Sequence, residues 1–282
     1  MRVRAVSALA SGAAVLAALS LPTAAQAQAR PLPNAAARLQ GLAVQPNVRL
    51  GNAEFSNGVV NGGKDIVIGT TARKTFKVTY DVYDANGVVL SQAFLWQGTD
   101  SSDVDTITGA LAANDTADCT ESSTSTGHYS CKATFTVDPK RDLAGNGVAG
   151  TWKLILGVYD FYANVSTDDD VTRTLIKRAS KLTADASPEP VKKGRTITVK
   201  GKLTRANWDT GTYQGYKGQS TKLQFRKKGS SVYTTLKTVT SSTGGALTAT
   251  TVAKYDGYYR FVYAGTKATQ AAKTAGDFVD VR

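Results

Sequence analysis

The fold of this 282-residue chain is decided by LTATTV (residues 247–252), the turn residues Asp256-Gly257 and YYRFVY (residues 258–263). β-Branched and aromatic residues favour strands, and Asp and Gly favour the turn between them. Similar apolar segments surround this hairpin; they lie near residues 182–186, 197–203, 223–225, 232–239 and 279–281. About seven strands in roughly a hundred residues is the size of an immunoglobulin-type sandwich. The Cys…Trp…Cys pattern of antibody domains is absent, so the prediction concerns the architecture alone.

The preceding part of the chain also has the residue pattern of short β-strands. Apolar side chains alternate in FKVTYDV (residues 76–82), and again in residues 129–137 and 152–158. Period two indicates half-buried strands, and no window shows a convincing helical period. The sequence therefore predicts an all-β protein with two tandem Ig-like antiparallel β-sandwiches. The first sandwich is expected over residues 48–179 and the second over residues 180–282.

The charge is divided unevenly between the two predicted sandwiches. Residues 180–282 contain 18 basic and 6 acidic residues, a net charge of +12. Residues 30–179 contain 14 basic and 16 acidic residues, a net charge of −2. A strongly basic module attracts polyanions, so this division predicts where such a partner would bind.

The N-terminus has the layout of a cleaved secretory signal peptide. Arg2 and Arg4 precede an apolar run, and two small-x-small cleavage sites end at Ala27 and Ala29. We expect residues 1–29 to be removed and residues 30–47 to form a flexible tail. The apolar run is short for a membrane span, so no transmembrane segment is expected in the mature chain. The protein is predicted to be secreted.

The two cysteines, Cys119 and Cys131, predict a disulfide, because exported proteins oxidise paired thiols. The polar stretch between them is typical of a hairpin tip. The alternative is zinc, since His128 lies three residues before Cys131. Structural zinc sites need four such ligands and this chain supplies three, so the disulfide is favoured.

Several motifs resemble those of one protein family. They are SPEPVKKG (residues 187–194), GKLTRANW (201–208), LQFRKKG (223–229) and DGYYRF (256–261). NGGKD (residues 61–65) and GTW (150–152) extend the likeness to the first module. The chain resembles two-module secreted Ig-like β-sandwich proteins of actinobacteria. Most of these are uncharacterised, and some carry a loose calcium-binding label. The resemblance implies a non-enzymatic protein and supplies no catalytic residues.

The residues themselves also give little sign of catalysis. Nucleophilic hydrolysis needs a base beside the nucleophile, and the single histidine lies on the polar hairpin. No Gly-x-Ser-x-Gly elbow, phosphate-binding loop or dinucleotide fingerprint is present. Aspartates are plentiful, so a small secreted hydrolase using a carboxylate pair remains an alternative.

The acidic stretch of the first module offers a candidate calcium site. Asp100, Asp103 and Asp105 are its tightest group, and Asp168-Asp169-Asp170 is a second one. Calcium prefers several hard oxygen ligands, although the spacing does not match an EF-hand. A solvated acidic loop is the alternative, and no other cofactor is expected.

The basic module offers two further candidate sites. A polyanion-binding surface is predicted at Lys192, Lys193, Arg195, Arg226, Lys227 and Lys228. The alternative is that these lysines protect sheet edges from pairing with other chains. Trp208, Tyr213 and Tyr216 could stack on sugar rings, or Trp208 could instead fold back over the end of a sandwich.

These features together predict a non-enzymatic extracellular binding or structural protein. The first alternative is a protein that binds carbohydrate or an anionic cell-wall polymer through the basic module. A calcium-binding secreted protein is another alternative. Nucleic acid is not expected as a partner, because the protein is predicted to leave the cell.

Overall fold

The computed structural model describes residues 50–282, which contain β-strands and short 3₁₀ turns and no α-helix. The predicted signal peptide and tail lie outside this range. No helix in the described range is long and apolar enough to cross a membrane. The fold class is therefore all-β, as the alternating patterns predicted.

The first module contains nine strands. They are β1 (Glu54–Val60), β2 (Ile66–Ile68), β3 (Lys74–Tyr83), β4 (Leu90–Gly98), β5 (Ile107–Ala112), β6 (Asp118–Glu121), β7 (His128–Val137), β8 (Gly150–Tyr159) and β9 (Val165–Arg178).

These strands form two sheets with an Ig-type order. One sheet runs β1-β3-β7-β6 and the other runs β2-β9-β8-β4-β5. In immunoglobulin notation they correspond to A-B-E-D and A′-G-F-C-C′, which are the two faces of an Ig sandwich. The pairing of β2 with β9 is parallel, whereas the other strand pairings within residues 50–282 are antiparallel, as predicted.

The core of the first module lies between the two sheets. Phe76 and Phe135 stack with their ring centroids 5.2 Å apart, and Trp152 is fully buried beside them in the same cluster. The indole N–H of Trp152 donates to the carbonyl of Val148 at 2.8 Å. Burial of such aromatic rings supplies much of the driving force for closing the sandwich.

The two cysteines form a disulfide across neighbouring strands, which confirms the prediction. Cys119 of β6 lies directly opposite Cys131 of β7, and the bond encloses a sequence separation of 12 residues. The bond joins two strands of one sheet, whereas the antibody disulfide joins the two sheets. It therefore secures the edge strand β6 to its partner.

The disulfide gives a direct test by thiol labelling. The unreduced protein, denatured in the presence of an alkylating reagent, should incorporate no label, because both sulfurs are bonded. Reduction before labelling should release two thiols per chain and serves as the control. Two reactive thiols without reduction would contradict the pairing.

The second module contains ten strands. They are β10 (Ser180–Leu182), β11 (Asp185–Ser187), β12 (Thr196–Asn207), β13 (Thr212–Gly215), β14 (Ser220–Lys227), β15 (Thr234–Thr240), β16 (Ala246–Val252), β17 (Gly257–Tyr263), β18 (Ala272–Lys273) and β19 (Asp277–Val279).

The long strand β12 organises one sheet of the second module and β14 with β17 organises the other. β11 and β16 flank the first half of β12, whereas β10 and β13 flank its second half. The opposite sheet runs β15-β14-β17, with β18 and β19 both pairing with β17. The core between the sheets includes Val199, Leu223 and Phe261, all fully buried. The region after Asn207 contains β13, which pairs with β12 and continues the sheet as a hairpin.

Candidate functional site

Three turns meet at one end of the second sandwich. The pairing of Thr196 with Val252 and of Lys227 with Gly257 sets the ends of four strands at the same level. Backbone hydrogen bonds connect the turns: Gly194 donates to Ala253 at 2.8 Å, and Lys228 donates to Asp256 at 2.9 Å. The register of the sheets therefore brings together lysines that are far apart in the sequence.

We call this surface the basic end. It consists of Lys192, Lys193, Arg195, Lys227, Lys228 and Lys254, all of them exposed. Tyr255 lies at its centre and is 50% exposed. The ammonium groups of Lys193 and Lys227 lie 5.9 and 4.7 Å from the centroid of this one ring. The ring attracts both cations and so holds the two basic segments together.

Two carboxylates lie near the basic end, and both have partners there. Asp256 accepts a hydrogen bond from the backbone of Val281 at 2.9 Å and lies 3.8 Å from Lys228. Asp280 pairs with Arg282 at 2.8 Å. Within residues 50–282, no carboxylate lies within ion-pair distance of Lys193 or Lys227. Their positive charge is therefore available to a ligand.

A groove of about 590 Å³ begins beside the basic end. It lies between the edge strands β15 and β16, and its lining includes Tyr255, Lys254, Lys237 and Thr250. None of the residues that line it is acidic. The groove extends the positive surface along the open side of the sandwich.

Arg226 does not belong to the basic end, although it was predicted to share a polyanion-binding surface with Lys227. Side chains alternate along β14, and Arg226 lies on the outer face of the sheet. Its guanidinium lies 4.0 Å from the ring centroid of Tyr258 and 5.3 Å from that of Tyr233. Four further residues of these two surfaces were not predicted from the sequence: Tyr233, Lys254, Tyr255 and Arg260. The alternation of Tyr258 and Arg260 along YYRFVY is the signal that could have found the outer face.

The three aromatic residues proposed for sugar stacking have their rings in contact with other parts of the protein. Trp208 is only 6% exposed and packs in the core of the first module, with its indole N–H donating to the carbonyl of Gly69 at 2.9 Å. Lys181 lies 3.9 Å from the ring centroid of Tyr213, and Arg205 lies 3.8 Å from that of Tyr216. This geometry is that of the alternative interpretation, in which Trp208 folds back over the end of a sandwich.

The contacts around Trp208 join the two modules. Its backbone N–H donates to the side-chain oxygen of Asn146 at 3.0 Å, and Asp209 accepts from the backbone N–H of Asn146 at 3.0 Å. Arg178, at the end of β9, donates to the carbonyl of Ala206 at 2.6 Å. Burial lowers the pKa of Arg178 to about 10, with a further contribution from the nearby cation of Arg205. The second module thus completes part of the first core.

The carboxylates of Asp100 and Asp103, two of the candidate calcium ligands, accept hydrogen bonds from residues close to them in sequence. Asp100 accepts hydrogen bonds from the hydroxyl and backbone N–H of Ser102 at 2.6 and 2.9 Å, and the hydroxyl bond is the main cause of its lowered pKa. Asp103 accepts a hydrogen bond from the backbone N–H of Asp105 at 3.1 Å.

In the second acidic group, Asp170 forms an ion pair with Arg173 at 2.5 Å. Among residues 50–282, no three acidic, histidine or cysteine side chains converge as a metal site requires. Calcium binding at Asp100, Asp103 and Asp105 stays an untested prediction.

The single histidine lies on the β6–β7 hairpin, where it is exposed. Its ring packs against Tyr83 with the centroids 4.6 Å apart. Both neighbouring cysteines are in the disulfide, so their sulfurs are not thiolate ligands for zinc.

No protein-family model matches the chain, and no curated protein matches its sequence. Among solved structures, the adhesin InvE of Yersinia pseudotuberculosis is 16% identical with a TM-score of 0.26; the match covers 83% of this chain and 61% of that one. The fibronectin(III)-like modules of Clostridium thermocellum CbhA are 10% identical with a TM-score of 0.31; the match covers 82% of this chain and 93% of that one. The D00-D0 domain of intimin is 13% identical with a TM-score of 0.26; the match covers 80% of this chain and 99% of that one. Scores this low add nothing to the strand order described above.

Proposed function

We propose that this protein is an extracellular, non-catalytic binding protein that holds an anionic cell-wall polymer or polysaccharide at the basic end. The observation that carries the proposal is the convergence of Lys193 and Lys227 on the ring of Tyr255. Two basic segments separated by more than thirty residues form one surface there. The disulfide between Cys119 and Cys131 supports an oxidising, extracellular location.

The position of the lysines favours ligand binding over edge protection. Lysines that protect a sheet lie along its edge strands. Strand β16 is an edge strand, and its sequence ALTATTV contains no charge. The lysines of the basic end lie instead on turns between strands, except for Lys227, which is the last residue of the inner strand β14. A row of turn lysines gives little protection against edge pairing but concentrates positive potential at one surface.

The test compares charge reversals at two ends of the same module. Full-length protein carrying Lys193→Glu and Lys227→Glu should bind an immobilised anionic polymer about tenfold more weakly than the native protein, because attraction is replaced by repulsion. The polymers are poly(glycerol phosphate) and polygalacturonate. Native binding should also fall steeply with added salt, since screening acts over about 8 Å at physiological ionic strength.

The matched control carries Lys217→Glu and Lys267→Glu, which change the net charge equally. Both lysines are exposed, and they flank the far end of β14 and β17. This control should keep most of the affinity. Equal weakening by the two pairs, or no binding of either polymer by the native protein, would overturn the proposal.

A further inference from the structure

On the outer face of the sheet formed by β15, β14, β17 and β19, two arginine side chains lie beside the ring of one tyrosine. Arg226 lies on β14 and Arg260 on β17, and the pairing of Gln224 with Arg260 and of Arg226 with Tyr258 makes them diagonal neighbours. The guanidinium carbons of Arg260 and Arg226 lie 3.5 and 5.3 Å from the ring centroid of Tyr233. One aromatic ring therefore positions two cations.

Hydrogen bonds fix each part of this arrangement. The hydroxyl of Tyr233 donates to the carbonyl of Ala275 at 3.1 Å, which holds the ring in place. Arg260 donates from Nε to the side-chain oxygen of Gln224 at 2.9 Å, and Arg226 donates from Nη1 to the carbonyl of Ser230 at 2.6 Å. These bonds orient both guanidinium planes before any ligand arrives, and a guanidinium offers five N–H donors in all.

Neither cation has a compensating anion in the part of the chain that the structure describes. Within residues 50–282, neither Arg226 nor Arg260 has a carboxylate within ion-pair distance. Since both lie close to one ring centroid, the two guanidinium carbons are at most about 9 Å apart, near enough to repel one another. Both side chains are half-buried, so water screens this repulsion less than at an open surface. An anion placed between them would relieve it.

The geometry of the donors indicates which anion fits. A guanidinium presents a planar fork that matches two oxygens of a carboxylate or a phosphate. A phosphodiester has two anionic and two ester oxygens at the corners of a tetrahedron, so two forks can approach it from different directions, whereas both oxygens of a carboxylate lie in one plane. The face is also continuous with the basic end, because Lys228 lies 5.5 Å from the ring centroid of Phe278, which itself contacts Tyr258 at 5.2 Å.

We propose that Arg226 and Arg260, which both lie beside the ring of Tyr233, form a clamp for a phosphate group of the anionic polymer. The inference rests on the proposed function, and it narrows the polymer to one that carries phosphodiester groups. The basic end supplies long-range attraction and the clamp supplies the preference for phosphate over carboxylate.

A charge-conserving variant tests the clamp separately from the basic end. The native protein should bind poly(glycerol phosphate) more tightly than polygalacturonate. Arg226→Lys with Arg260→Lys keeps the net charge but removes both forks, so this preference should fall about tenfold while polygalacturonate binding is retained. The control, Lys217→Arg with Lys267→Arg, should leave the preference unchanged. Equal native binding of the two polymers, or a preference that survives the double lysine variant, would show that the clamp is wrong.

A second measurement on the native protein does not depend on the variant. Free glycerol phosphate and inorganic phosphate should each shift the Nε–H resonances of Arg226 and Arg260, and acetate at the same concentration should not. Resonances that stay unmoved by both phosphates would overturn the clamp. If the native protein binds neither polymer, the proposed function fails, and this titration alone still decides whether the clamp binds phosphate.

Discussion

Replacing Trp208 with alanine should lower the free energy of unfolding by about 3–5 kcal/mol, the range expected for truncating a buried aromatic residue. The side chain is only 6% exposed and packs in the first core, although it belongs to the second module. Its removal also leaves the carbonyl of Gly69 without the indole donor. Chemical denaturation followed by circular dichroism measures the loss without relying on tryptophan fluorescence.

Two control variants separate the contributions at this position. Trp208→Phe keeps most of the apolar contact but loses the hydrogen bond to Gly69, so it should lose less stability than Trp208→Ala. Tyr162→Ala removes an aromatic side chain that is 75% exposed and should change stability little. A Trp208→Ala variant as stable as Tyr162→Ala would mean that the junction between the modules contributes nothing to folding.

The junction also explains why the binding tests use the whole chain. A fragment starting at residue 180 would expose Trp208 and Ala206, both of which pack in the first core. A fragment ending at residue 179 would lack those same side chains. Loss of binding by either fragment could therefore reflect misfolding, whereas surface substitutions in the full-length protein leave this junction intact.

The sequence predicted the strands well because their signal is local. In FKVTYDV the alternate residues Phe76, Val78, Tyr80 and Val82 point to the core, and the structure buries all four. The disulfide was predictable for a similar reason, since Cys119 and Cys131 flank a polar hairpin in an otherwise alternating segment. Period two and turn chemistry require no knowledge of distant contacts.

The candidate site was predicted only in part, because it depends on register. Lys193 and Lys227 were each recognised as basic, but their meeting at Tyr255 follows from the pairing of β12 with β16 and of β14 with β17. No local pattern specifies those pairings. Trp208 shows the same limit: an aromatic residue in a polar segment with glycines is typical of an exposed loop, and only the neighbouring module reveals that it is buried.

Replacing Gly245 with alanine should lower the free energy of unfolding by about 2–5 kcal/mol, through backbone strain and overpacking together. Gly245 has φ +79°, a conformation that residues with a side chain adopt only at a cost. A Cβ atom there would also overlap the carbonyl oxygen of Leu203 and lie 2.8 Å from the backbone nitrogen of Tyr216. Both are backbone atoms, Leu203 in β12 and Tyr216 directly after β13, and they are hydrogen-bonded to each other, so they cannot move aside as a flexible side chain would.

The neighbouring glycine supplies the matched control for this prediction. Gly244 has φ +74°, nearly the same conformation, but a Cβ atom there would meet nothing within 4 Å. Gly244→Ala should therefore cost only the conformational term, roughly 1–2 kcal/mol. The difference between the two variants in denaturant unfolding isolates the steric contact with β12. Equal losses would show that the turn can shift away from Leu203, and that close packing of this turn against β12 does not stabilise the second sandwich.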